Sequence, residues 1–150
     1  MNPSISSGPE SIVTSLEWSK KLKEAGWERD AAHWYWNLYR HSSEGEKWFL
    51  ECPFDIDVDH PYKLAIAAPT AEEILRRLPF SVEHKVKTSN GQVQNYVSYI
   101  TPHREKEGWQ LFLRNSHRRP RTIWVTEILS LANAAAACYC YLEENNLFPS

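Results

Sequence analysis

The stretch "SLANAAAACYCYLEEN", residues 130 to 145, constrains the fold more than any other part of the chain. Four consecutive alanines sit inside a run that is apolar on nearly every side of a helix. A helix on a protein surface shows one apolar stripe, whereas one apolar all round is buried. Small side chains let a neighbouring element approach closely, so this helix is expected to lie against a sheet. Cys138 and Cys140 project ~200° apart on such a helix and cannot grip one metal together. With Cys52 they make an odd number without a disulfide-scaffold spacing, which fits buried free thiols in a reducing cytoplasm.

The sheet is written in aromatic and β-branched runs. "HWYWNLY", residues 33 to 39, reads as a strand. Alternation sends Trp34, Trp36 and Leu38 to one face, expected to be core. Tyr35, Asn37 and Tyr39 share the other face with His33, to be covered by a helix or left open as a platform. After the polar "HSSEGEK", "WFLEC" reads as the partner strand. "SVEHKVK" and "QVQNYVSYI" flank Asn90-Gly91 and form a hairpin, with "WQLFLR" as the third strand of that meander. "TIWVTEIL" is ambiguous between a strand and a helix start.

Two further helices carry end signals. In "VTSLEWSKKLKEAGW", Thr14 and Glu17 form a capping box, Val13 can staple to Trp18, and Gly26 stops the helix. Its apolar stripe, Leu16, Ser19, Leu22 and Lys23, is modest, so it should lie on a surface. "APTAEEILRRLP" has a second box, Thr70 with Glu73, and ends at Pro79. The expectation is a single α+β domain over residues 13 to 150 behind a loose leader, 1 to 12. It has one antiparallel sheet of about four to six strands with two or three helices packed on it.

The 150 residues carry a net charge of −2, which gives no global field for nucleic acid or an acidic membrane. The charge is uneven, however. His41 to His60 holds six acids against one lysine, and Thr101 to Arg121 holds six bases against two acids. The N-terminus lacks the basic and apolar regions of a signal peptide, and no apolar run reaches the ~20 residues of a membrane span. These features give a cytoplasmic expectation with no membrane partner.

Several pieces together resemble a family of small uncharacterised proteins encoded by phages and mobile elements of gut bacteria. They are "TSLEWSKKLKEAGW" with "RDAAHWYW", then "APTAEEILRRLP", "VSYI" and "SLANAAAACYCYLEENNLF". The resemblance runs from Val13 to Phe148. Its motifs are caps, turns and a packing helix, so it implies kinship and a setting in a bacterial host, with no catalytic residues to carry over. The chain departs from that pattern in "HREKEGW" and "SHRRPRTIWVTE".

Catalytic and metal motifs fail on inspection. Asp55, Asp57 and Asp59 start like a calcium loop, but His60 stands where Gly is needed and Ile66 where a bidentate Glu is needed. His41-Ser42-Ser43 has the spacing of half a two-histidine phosphoesterase site, and no second half exists. His84, between Val82 and Val86 on one strand face, reads as a satisfied half-buried side chain. No metal and no cofactor are expected.

The strongest binding feature is "RNSHRRPR". Arg114, Arg118, Arg119 and Arg121 offer guanidinium forks to phosphate or to a partner's carboxylates, with Tyr35, Tyr39 and Trp109 as the aromatic surfaces they would need nearby. The leading expectation is a non-enzymatic accessory protein that binds a host or phage protein. The alternative is a nucleotide or nucleic-acid binder, for instance a counter-defence sponge, using the arginines and the Tyr face. An enzyme centred on His41 ranks third.

Overall fold

The computed structural model describes residues 11–28, 32–41, 45–52, 64–115 and 122–149. In chain order the elements are α1 (Leu16–Glu24), β1 (Tyr35–His41), β2 (Gly45–Glu51), β3 (Leu64–Ala67), α2 (Ala71–Arg77), β4 (Ser81–Lys87), β5 (Val93–Glu105), β6 (Gly108–Asn115), β7 (Thr122–Val125) and α3 (Leu131–Glu144). The fold is α+β and its pairing is antiparallel throughout. The strands form two sheets where one was expected, a three-stranded sheet ordered β2-β1-β3 and a four-stranded meander β4-β5-β6-β7.

α3 explains both the division and its own composition. Ala135, Ala136, Tyr139 and Cys140 pack into a core with Leu22, Trp27, Tyr35, Ala67 and Ile74. Ala134, Cys138 and Leu142, one turn apart on another side, pack with Val82, Leu111 and Leu113. The helix serves two cores, one beside each sheet, so it has to be apolar around its circumference. Leu75, Leu78 and Phe148 touch both clusters and join them. The thiols of Cys138 and Cys140 fall on these two sides, and burial pushes them up to about 12 and about 11. Both stay protonated and inert.

The capping box on α2 forms as expected, with Thr70 Oγ1 accepting from Glu73 N–H and Glu73 accepting from Thr70 N–H. The one on α1 does not. The N-cap is Ser15, whose hydroxyl accepts from Trp18 N–H. Thr14 is engaged elsewhere, its N–H donating to the Pro69 carbonyl and its buried hydroxyl 2.7 Å from that of Ser19. Gly26, at φ +99°, ends the helix with the Trp27 N–H bonded back to the Leu22 carbonyl. That turn places Trp27 edge-on to Tyr139 at 5.1 Å.

The hairpin between β4 and β5 closes through Gly91 at φ +78°. "TIWVTEIL" resolves into a strand that ends at Val125. Thr126 then bonds both backbone groups of Leu111, and Ser130 caps α3.

The inner face of β1 needs correction. Leu38 is buried, but Trp34 and Trp36 are half-buried, and the indole N–H of Trp36 reaches the Thr14 carbonyl. Tyr35 and Asn37, on the supposed platform, lie deeper, because that face turns toward the helices.

Candidate functional site

The four-stranded sheet has one covered face and one open face. Alternation along β6 sends Trp109, Leu111 and Leu113 inward, with Leu111 and Leu113 fully buried. Phe112 and Arg114 point the other way. Register places Arg114 beside Tyr99 and, beyond it, Ser81, and places Phe112 between Thr101 and Val125.

The open face is an aromatic band. Phe80, 85 % exposed, meets Tyr99 edge-on at 5.5 Å. The Arg114 guanidinium lies over the Phe112 ring at 4.7 Å, and His103 meets that ring edge-on at 5.9 Å. A register shift between Leu113 and Arg114 leaves both Ile123 and Val125 of the edge strand 40 % exposed beside the band. Charges of both signs surround it. Glu83, Lys85 and Arg114 are exposed, and His103 lies 3.2 Å from Glu105. Such a surface suits stacking, apolar contact and paired charges.

The residues nominated from sequence are dispersed. Arg114 is on the open face. Arg118, Arg119 and Arg121 lie outside the described residues, within the connector from β6 to β7. Tyr35 belongs to the core of the other sheet. Tyr39 is half-buried there, its hydroxyl donating to Glu51, to which Asn37 also donates at 3.3 Å. Trp109 is on the face of β6 opposite to Arg114, half-buried and backbone-bonded to Leu129. Arg114 therefore has Phe112 as its aromatic partner, and Phe80, Tyr99 and Phe112 were overlooked. Alternation carried the signal, since Phe112 sits between two leucines of a strand and Tyr99 between Ser98 and Ile100.

The remaining candidates contribute no catalytic constellation. Asp55, Asp57, Asp59, His60, Ser42 and Ser43 lie outside the described residues, as does the His41 side chain. Among the described residues no group of three or more His, Cys, Asp or Glu side chains could hold a metal ion. His84 is half-buried on the inner face, and its Nε2 has no hydrogen-bond partner among the described residues. Burial lowers its pKa. No helix among the described residues is long and apolar enough to cross a membrane. Comparison with protein-family models, curated proteins and solved structures finds no match.

Proposed function

We propose that this protein works by binding a protein partner, without catalysis, and that the open face of the four-stranded sheet is its working surface. The observation that carries this reading is the row of apolar and aromatic side chains, exposed Phe80 and Val125 with half-buried Tyr99 and Phe112, on a face that no helix among the described residues covers. Aromatic residues and arginine dominate the energetics of protein interfaces. Mixed charge around the band fits a polypeptide better than a phosphate backbone. The resemblance to phage and mobile-element proteins supports an accessory role in a bacterial host, with a host or phage protein as partner.

A photo-crosslinking amino acid placed in turn at positions 80, 101 and 125 tests the assignment in bacterial lysate, with position 12, exposed elsewhere, as control. The reading expects one polypeptide captured from the three face positions, absent from position 12, and lost in Phe112→Asp. The same polypeptides from every position, or none, would remove it.

One observation favours a second reading as a nucleotide or single-stranded nucleic-acid binder. The guanidinium of Arg114 stacked on Phe112, beside Tyr99 and one residue before the arginine-rich connector, is suited to base stacking with phosphate contact. Fluorescence anisotropy with an oligonucleotide of about 12 bases examines it directly. Binding that falls with salt and is lost in Arg114→Ala favours this reading; no binding at low salt eliminates it.

A further inference from the structure

The geometry points to a second site, distinct from the open face: the cleft between α1 and α3 is a receptor for a small organic cation carrying a quaternary ammonium group. The cleft holds about 430 Å³, which is within the range of small-molecule sites. Trp18 and Lys21 come from α1, Trp124 from β7, and Tyr141 from α3. Glu24 and Glu144 add a carboxylate from each helix.

Each wall has a local cause. Trp124 is the inward residue of the edge strand, paired with Leu113, and its ring lies flat on Tyr141 at 4.4 Å and 14°. Trp18 stands on α1 one turn before Lys21, whose ammonium lies 4.2 Å from the indole centroid. That contact shows an indole face already offered to a positive charge. Lys21 is half-exposed and also 3.3 Å from Glu17, so it can leave the ring without losing its counter-charge.

The charge balance selects the sign of the ligand. With Lys21 matched by Glu17, the lining retains Glu24 and Glu144, and an anion would meet two carboxylates. The floor responds to the same field. Burial first, then Glu144 and Glu24 against the opposing Lys21, hold the Cys140 thiol at about 11, so it stays uncharged.

The walls select the kind of cation. A primary ammonium has three N–H donors to satisfy, and the only carboxylate acceptors in the lining, Glu24 and Glu144, are exposed to water that competes for them. A quaternary ammonium has no donors, is cheaper to strip of water than a compact ammonium, and is stabilised by ring faces.

The test is a titration of the full chain with choline and with its uncharged tert-butyl isostere, followed by the indole N–H NMR signals of Trp18 and Trp124. Trp18→Phe and Trp124→Phe identify those signals. Choline should shift both saturably at concentrations up to about 10 mM, and the isostere should bind about tenfold more weakly, the size of a partly desolvated cation–π contribution. Glu24→Gln combined with Glu144→Gln should weaken choline by about threefold and leave the isostere unchanged, because the carboxylates act on the charge and the ring faces remain. Both carboxylates are exposed, so the fold tolerates the change. Lys21→Gln should tighten choline by about threefold by removing a like charge. Equal binding of the two compounds, unshifted indoles, or weaker choline binding in Lys21→Gln would overturn the assignment.

Discussion

The two sheets are written in the same vocabulary, alternating strands rich in tyrosine, phenylalanine and tryptophan, yet they meet opposite circumstances. In the three-stranded sheet Tyr35 and Asn37 are buried on one side of β1 and Leu38 on the other, so its central strand has no open face. In the four-stranded sheet Leu111 and Leu113 are sealed against α3, while Phe112, between them in the chain, faces outward with Arg114 over its ring. An aromatic side chain therefore does not by itself mark a core or a platform. The number of covering elements decides: α3 packs on β6 of the four-stranded sheet, while α1 lies beside β3 of the three-stranded one.

The sharpest way to break that contrast is Tyr35→Ala. With Tyr35 8 % exposed among Leu22, Trp27, Ile74 and Tyr139, the truncation should cost about 3–5 kcal/mol in urea unfolding. A cost below about 1 kcal/mol is what surface positions show, and would return Tyr35 to the open platform its alternation suggested. Gly108→Ala comes next. A Cβ there would stand 2.6 Å from the Leu129 carbonyl oxygen, where the chain returns beside Trp109. Backbone cannot swing away as a side chain can, so the substitution should cost about 1–3 kcal/mol. An unchanged melting temperature would mean that the Leu129 segment does not close the end of the second core.

A smaller effect concerns the covered face of the same sheet. Burial lowers the pKa of His84 below its ordinary 6.5, so the unfolded chain binds the proton more readily than the folded one. Stability should be whole above pH 6.5 and decline as pH falls from there through the folded-state pKa. His84→Gln should lack that part of the slope. Unfolding curves with equal pH dependence for both proteins would place the imidazole in water, and the inner face would be less closed than its leucines indicate.

Much of this was readable in local pattern. Thr70 with Glu73, Gly26, Gly91 and the alanines of α3 act over three to five residues, so their geometry is fixed by nearby chain. Two things were not readable. The cap of α1 moved from Thr14 to Ser15 because Thr14 bonds Pro69, 55 positions away in the chain. The inner face of β1 depended on which side the helices cover, and alternation defines two faces without ranking them. For the same reason the open face was missed. Tyr99 and Phe112 lie on successive strands and Phe80 just before a third, and only the pairing of those strands brings them together.

The smallest expected effect is also the most direct check on the open face. Phe80 is 85 % exposed, and its one described ring contact is the edge-on approach to Tyr99. Aromatic pairs contribute about 0.5–1.5 kcal/mol beyond area burial, and this one forfeits most of the burial itself. Phe80→Ala should therefore change unfolding free energy by no more than about 0.5 kcal/mol. A loss of 3 kcal/mol or more, the size of a core truncation, would mean that Phe80 is packed in solution, by a second copy or by another part of the chain. The face would then be an occupied interface, and a partner would have to displace its occupant before binding. A near-zero loss leaves the ring in water, as the proposed role of this face as a binding surface requires.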